Sequence, residues 1–179
     1  MKEKTYAVLG VVGPLVAYTF IAISIMLSPW FNWGRNALSD LGHAIRSPVA
    51  PIYNLGLFLA GFLMIVYSIK AFKTAKYTSF CLIAASLLLQ LVAVFDEVYG
   101  FIHYAVSILF FASIGVAFLM HAREGKSLLA VVAFAVGLFS WVVYWMRIFS
   151  IGVAVPETIA SVAVTCWVVS SALKVYASK

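Results

Sequence analysis

The sequence predicts an all-α fold, a polytopic bundle of six transmembrane helices. Of its 179 residues, 65% are hydrophobic and 10% are charged, whereas a soluble domain is typically about half apolar and about a quarter charged. A chain of this size cannot hide so much apolar surface in a core of its own. Six apolar runs are present, and each approaches the roughly 20 residues that a helix needs to cross a bilayer.

The six predicted spans follow one another with short connections. They lie at about residues 6–27, 52–72, 78–95, 101–120, 128–146 and 157–175. Helices are expected because the runs are too long and too continuously apolar for barrel strands, and because a helix satisfies its own backbone polar groups in lipid. Pro156 precedes the last span, where a first-turn proline costs no hydrogen bond. Residues 1–179 are therefore predicted to form a single transmembrane domain.

The distribution of basic residues predicts the orientation of the bundle. Three of the 12 Lys and Arg residues, namely Arg35, Arg46 and Arg147, lie in the connections after spans 1 and 5. The other nine lie near the termini or in the connections after spans 2 and 4. Because Lys and Arg accumulate on the cytoplasmic side, we predict a multi-pass protein of the cell membrane with both termini in the cytoplasm. Topology then accounts for the net charge of +6, and no nucleic-acid partner is expected.

The first outer connection, residues 28–51, has a helical pattern of polar and apolar positions. The apolar face consists of Ala37, Leu38, Leu41 and Ile45, and the polar face consists of Asn36, Ser39, Asp40 and His43. From Arg35 to Arg46 this pattern predicts a short amphipathic helix between spans 1 and 2. Such a helix either lies on the membrane surface or acts as a lid whose polar face points into the mouth of the bundle.

This connection contains candidate catalytic and binding residues. Asp40 and His43 are candidates for acid–base chemistry. Candidate binding residues are Arg35, Asn36, Ser39 and Arg46. Ser39 is either a nucleophile or a capping hydroxyl, and capping is the commoner use of serine beside a helix.

The second outer connection places two carboxylates close to a histidine. Asp96 and Glu97 end span 3, and His103 lies in the first turns of span 4. Because the turn between them is short, we expect Asp96 to lie near His103, either orienting the imidazole as a general base or sharing a metal with it. The alternative is a solvated turn with a carboxylate at a helix N-terminus. The sequence identifies no particular metal or cofactor.

The third outer connection and two deeper amides complete the predicted site. Tyr144 and Arg147 are three residues apart and share a helix face. Arg147 is predicted to bind a phosphate or carboxylate. Alternatively, it extends to the membrane interface or pairs with Glu157 or Asp96. Glu157 is most simply a first-turn acid that complements the helix dipole. Asn54 and Gln90 lie inside spans 2 and 3, where amides normally face the protein interior, and they are candidates for the floor of an outer pocket.

A resemblance to a known family rests on residues 28–61. A Trp-rich outer stretch, the motif Asn36-Ala-Leu-Ser-Asp-Leu-Gly42 and a following span resemble the family called domain of unknown function 998, which has archaeal and bacterial members. This resemblance implies a six-span fold and no particular activity. The Leu-Ser-Asp-Leu-Gly pattern is also remotely similar to six-span proteins of the autophagy-modulator and GPI-lipid-remodelling type, which favours a lipid ligand.

Three functions remain open from the sequence. The first is binding or modification of a lipid headgroup at the outer leaflet, with membrane lipid as the partner. The second is a structural or assembly role without catalysis, in a homo-oligomer or with another membrane partner. The third is a small transporter, which the scarcity of charge deep in the spans disfavours.

Overall fold

The computed structural model describes residues 2–70 and 75–178. Throughout these ranges the regular secondary structure is helical. The seven α-helices are α1 (Lys2–Ala7), α2 (Leu9–Met26), α3 (Ala50–Lys70), α4 (Lys76–Val94), α5 (Phe101–Glu124), α6 (Leu128–Trp145) and α7 (Ala154–Ala177). Two short 3-10 helices, Ser39–Gly42 and Glu97–Tyr99, lie in connections.

The prediction of six spans is confirmed. Six helical segments among the described residues are long and apolar enough to cross a membrane: Lys4–Met26, Ala50–Lys70, Lys76–Val94, Phe101–Glu124, Leu128–Trp145 and Ala154–Ala177. The first combines α1 and α2, which a single turn residue, Val8, separates. The predicted end of span 2, at residue 72, lies outside the described residues.

Small residues bring the first, second and last spans into close contact. A Cβ atom added at Gly56 of α3 would lie 2.2 Å from the Cβ of Phe20 on α2, and one at Gly10 would lie 2.8 Å from the Cβ of Ala172 on α7. In membrane bundles such small residues allow helix backbones to approach closely, and this packing drives association in lipid. The contact between Gly10 and Ala172 also places the start and the end of the chain on one face of the bundle.

That face, which we call the terminal face, has a capping contact between two spans. Glu124 ends α5, and its carboxylate accepts hydrogen bonds from the backbone N–H groups of Tyr77 and Thr78 at 2.9 and 2.8 Å. It also accepts one from the Thr78 hydroxyl at 2.6 Å. Since the first N–H groups of a helix have no partner within the helix, Glu124 supplies the acceptors that the start of α4 needs.

The opposite face holds the three connections 27–49, 95–100 and 146–153, and we call it the loop face. In the first of them, only the 3-10 helix Ser39–Gly42 is regular, and the residues around it form turns. The amphipathic helix predicted from Arg35 to Arg46 is thus reduced to one short turn of helix. The reason is local, because Asn and Asp side chains bond nearby backbone groups and compete with helical hydrogen bonds.

The same segment packs into the bundle and does not lie flat on it. Leu41 is completely buried and Leu38 is 7% exposed, whereas Ile45 is 80% exposed. The predicted apolar face is therefore divided between the protein interior and the surroundings. The segment is therefore packed partly into the bundle, and its role as a lid stays a prediction.

Candidate functional site

Backbone hydrogen bonds join the first connection of the loop face to the third connection and to the start of α7. The Gly152 N–H donates to the carbonyl of Trp33, and the Ala154 N–H donates to the carbonyl of Asn36, both at 2.9 Å. Gly152 fits there only because it has no side chain: a Cβ at this position would lie 2.5 Å from the Asn36 carbonyl oxygen. The connection before α7 thereby fixes the loop that carries the Asn36–Gly42 motif.

Three carboxylates interact with one another at this loop, one of them within it, and we call Asp40, Glu97 and Glu157 the carboxylate cluster. The Leu38 N–H donates to Glu157 Oε2 at 2.7 Å, and the Ser39 hydroxyl donates to Glu97 Oε1 at 2.6 Å. Asp40 interacts electrostatically with both glutamates. One acid from each outer connection, or from the helix that follows it, is therefore gathered at one place.

Asp40 mainly organises the loop. Its Oδ2 accepts hydrogen bonds from the Asn36 side-chain amide at 2.7 Å and from the Ala37 N–H at 2.9 Å. Asn36 in turn accepts from the Asn32 N–H at 2.9 Å through its Oδ1. These bonds satisfy polar groups of the loop itself, so the side chains of Asp40 and Asn36, predicted as an acid–base and a binding residue, hold the loop in shape.

The surroundings of Glu97 change the pKa of its carboxyl group. Burial is the largest cause that raises its pKa, to about 7, and the hydrogen bond and negative charge of Asp40 raise it further. The Ser39 hydroxyl and the positive charge of Arg46 act in the opposite direction. A carboxyl group with these surroundings can hold or release a proton near neutral pH.

The raised pKa of Glu97 predicts how stability depends on pH. A carboxyl group with a pKa of 4.5 unfolded and about 7 folded binds more protons when folded. Its stabilising contribution is present below pH 4.5 and is lost as the pH rises to about 7. We expect the thermal unfolding midpoint in detergent to fall across this window. Glu97→Gln should flatten that part of the profile, whereas Glu97→Asp, which keeps a titrating group, should retain it. An unchanged slope in Glu97→Gln would contradict the assignment.

The predicted pair of Asp96 and His103 takes different partners. Asp96 Oδ1 accepts from the Val98 N–H at 2.8 Å and caps the 3-10 helix Glu97–Tyr99. The Nδ1 of His103 lies 2.7 Å from the carbonyl oxygen of Phe95. A carbonyl only accepts, so Nδ1 carries the proton, and in the neutral ring Nε2 is left as an acceptor. Both side chains are buried, and each of these hydrogen bonds goes to the backbone and not to the other side chain.

The remaining predicted residues fall into three groups. Asn54 donates to the Gly42 carbonyl at 2.9 Å, and Gln90 donates to the Phe58 carbonyl at 3.3 Å, so these amides bridge elements. His43 Nδ1 accepts from two backbone N–H groups of the turn that follows it. Exposed cations and a half-buried phenol complete the set, which consists of Arg35, Arg46, Arg147 and Tyr144.

A large crevice runs from the carboxylate cluster along the bundle between α5 and α6. Among consecutive spans, these two contact each other least. The crevice has a volume of about 1200 Å³, and its walls are mostly apolar. Ile108 and Leu119 of α5 and Leu138 of α6 line it and are about half exposed, so it opens sideways towards the surrounding lipid.

The crevice becomes polar at the loop face. Side chains of Glu97, His103, Tyr144, Arg147 and Glu157 line this end. A smaller cavity of about 170 Å³ lies deeper in the bundle and shares Ser39, Ser107 and Glu157 with the crevice. The carboxylate cluster thus lies where the apolar part of the crevice, the smaller inner cavity and the loop face meet.

Sequence reasoning noted Glu97 and Glu157 but did not assign them to the site. The sequence favours Asp96 over its neighbour Glu97 as the site residue, and it predicts for Glu157 only the role of an acid that complements a helix dipole. One available signal was that each outer connection, or the helix start after it, carries an acid in a chain with only six Asp and Glu residues. Within residues 2–70 and 75–178, no group of three His, Cys, Asp or Glu side chains is arranged to hold a metal ion.

The fold is that of a multi-pass α-helical membrane protein. The chain belongs to the family described as protein of unknown function (DUF998), whose sequence profile matches residues 11–174. The match includes most of the first span and nearly all of the last, and it confirms the family resemblance recognised in residues 28–61. No curated protein and no solved structure matches the chain significantly.

Proposed function

We propose that the protein binds a membrane lipid in the crevice between α5 and α6, with the lipid headgroup at the loop face. The observation that carries this proposal is the shape and polarity of the crevice. It is apolar along the spans and polar at one end, as an amphiphile requires, and ligand sites in proteins are typically apolar clefts with a few polar groups that fix orientation.

The loop face is proposed to lie in the outer leaflet of the cell membrane, with both termini in the cytoplasm. The excess of Lys and Arg at the terminal face supports this orientation. Trp30 and Trp33, each more than two-fifths exposed, and Trp145 lie at or beside the loop face, where aromatic rings favour the headgroup level. The headgroup would then sit between the carboxylate cluster and Arg147.

The test is native mass spectrometry of the full chain released from mild detergent, comparing two neighbouring substitutions on α6. A Cβ at Gly137 would meet no atom nearer than 3.8 Å, and this residue lines the crevice, so the side chain of Gly137→Leu should occupy the ligand space. We expect retained lipid to fall at least about tenfold, since overlap of more than about 1.4 kcal/mol is enough for that factor.

Val136→Leu is the matched control. Val136 is exposed on the same helix and is not part of the crevice wall, so its replacement should leave lipid retention unchanged. Equal retention by both variants would contradict the proposal. A bare mass for the wild-type protein would favour the second candidate, a structural role for the Asn36–Gly42 motif, which the hydrogen bonds of Asp40 to its own loop support.

A further inference from the structure

The end of α6 brings three hydrogen-bond donors to the polar end of the crevice. Trp141, Tyr144 and Arg147 all line the crevice, and the spacing of three residues keeps them on one side of the helix end. The rings of Trp141 and Tyr144 are neighbours, with centroids 6.1 Å apart. The Arg147 N–H donates to the Tyr144 carbonyl at 3.0 Å, which fixes the turn after α6. This wall therefore carries an indole N–H group, a phenolic hydroxyl group and a guanidinium group.

These donors have no acceptor within the part of the chain that the structure describes. The Nε1 atom of Trp141 is buried there without a hydrogen-bond partner. The Tyr144 hydroxyl and the Arg147 guanidinium also form no hydrogen bond or ion pair with described residues. The positive charge that acts on Glu97 is that of Arg46 and not that of Arg147. Because indole and guanidinium groups only donate and a buried donor without a partner is costly, a ligand with several acceptor oxygens fits this wall.

The backbone of Arg147 has a conformation that suits glycine better than arginine. Its φ is 51°, in the left-handed region where a Cβ atom is unfavourable and glycine is unstrained. Glycine is also the usual left-handed residue just beyond a helix, and α6 ends at Trp145. Residues held in such strained conformations cluster at ligand sites. The strain at Arg147 therefore indicates that its side chain serves a contact beyond the fold itself.

We infer that this end of the crevice recognises the phosphate ester of a phospholipid, with the Arg147 guanidinium bound to the phosphate oxygens. The inference rests on the proposed lipid binding and specifies its headgroup. A guanidinium group binds phosphate through two parallel N–H···O bonds, which are stronger than bonds between neutral groups. Tyr144 and Trp141 precede Arg147 towards the apolar part of the crevice. They donate to oxygens of the ester linkages that join the headgroup to the acyl chains.

The experiment is a competition between two lipids, read by native mass spectrometry. The full chain is exchanged into micelles that contain equal amounts of phosphatidylglycerol and diglucosyl diacylglycerol with identical ester-linked acyl chains. Both lipids have a hydroxyl-rich headgroup, but only phosphatidylglycerol has a phosphate. We expect phosphatidylglycerol to be retained about tenfold over the glycolipid, the factor that one hydrogen bond to a charged group provides.

Arg147→Gly is the sharpest variant, because it removes the guanidinium group and relieves the backbone. It should lose the preference for phosphatidylglycerol, retain the glycolipid as before, and unfold in detergent at or above the wild-type midpoint. A markedly lower midpoint would make Arg147 a structural residue and overturn the assignment. Arg147→Lys keeps the charge without the two-pronged geometry and should retain only part of the preference.

Arg35→Gly is the matched control for charge. Arg35 is an exposed cation of the loop face and is not part of the crevice wall, so its replacement removes the same charge from the same face. The preference for phosphatidylglycerol should persist in this variant. Equal losses in Arg35→Gly and Arg147→Gly would reveal a general attraction between a basic protein and an anionic lipid, and would overturn the site.

Trp141→Phe tests the donor beside the ester linkages. It keeps an aromatic ring and removes the N–H group. Since both lipids have ester linkages, their retention should fall by the same factor, about fivefold for one hydrogen bond between neutral groups, and the preference should stay. Unchanged retention of both lipids would overturn the role of Trp141.

The remaining outcomes separate this inference from the proposed function. Equal retention of the two lipids by the wild-type protein would overturn the phosphate site and leave lipid binding intact. Wild-type protein without any retained lipid would overturn both. Displacement of phosphatidylglycerol, but not of the glycolipid, by millimolar glycerol 3-phosphate would support the phosphate chemistry and overturn its assignment to a lipid in favour of a soluble phosphate ester.

Discussion

Alanine at Gly152 should destabilise the loop face more than any other single methyl group added there. The new Cβ would lie 2.5 Å from the Asn36 carbonyl oxygen and 2.8 Å from both the Arg35 nitrogen and the Trp33 carbonyl oxygen. All three are backbone atoms, so no side chain can rotate away, and the two segments must separate. Overpacking typically costs about 1–3 kcal/mol, and we expect the upper end of this range.

Gly137→Ala is the control for Gly152→Ala. Its Cβ would meet Ala160 at an ordinary contact distance of 3.8 Å, so thermal unfolding in detergent should barely change. Gly152→Ala should lower the unfolding midpoint markedly and also reduce lipid retention, because the backbone bonds that fix the loop carrying Asp40 would break. Equal midpoints for the two variants would show that the connections are not packed against each other as described.

Loss of the Glu124 carboxylate should be the most costly change at the terminal face. Glu124→Ala would remove the acceptor for two N–H groups at the start of α4 and for the hydroxyl group of Thr78, which is completely buried. Hydrogen bonds to a charged group contribute about 1.5–3 kcal/mol each, and an unsatisfied buried group costs about 1–3 kcal/mol. Because water can replace part of the carboxylate, we expect a net loss of about 2 kcal/mol.

Two further variants test the capping role of Glu124. Arg123→Ala changes an exposed neighbour on the same helix end and should alter the unfolding free energy little. Glu124→Gln keeps one carbonyl-type acceptor and should recover part of the loss. If Glu124→Ala and Arg123→Ala unfolded at the same midpoint, Glu124 would not be the cap of α4.

The spans were predictable because each is decided by local composition. A run such as residues 128–146 is apolar enough that the lipid environment fixes its helical state without reference to its neighbours. Even the starts agree closely, since α5 and α6 begin at Phe101 and Leu128 as predicted. The connection from Arg35 to Arg46 was harder, because side-chain hydrogen bonds within the loop outweigh its helical periodicity.

The membership of the site was less predictable, because it depends on contacts between distant parts of the chain. The bond between Leu38 and Glu157 joins positions 119 residues apart, and no sequence spacing specifies such a contact. The 3-10 turn Glu97–Tyr99 decides which of the two neighbouring acids joins the site. Asp96 bonds a backbone N–H group of this turn, whereas Glu97 bonds the Ser39 hydroxyl. The distribution of Lys and Arg along the sequence predicted that the polar residues lie on one face of the bundle. Which of these residues contact each other is evident only from the packed bundle.

The sparse contact between α5 and α6 leaves a side opening, which determines how a ligand would reach the crevice. A ligand that enters sideways from the bilayer never crosses water, and it arrives by diffusion within a single leaflet. Its availability is then set by its mole fraction among neighbouring lipids and not by an aqueous concentration. A headgroup that forms a sizeable share of the leaflet is already abundant at the entrance, so a selectivity of about tenfold, or about 1.4 kcal/mol, suffices to fill the crevice with one lipid class.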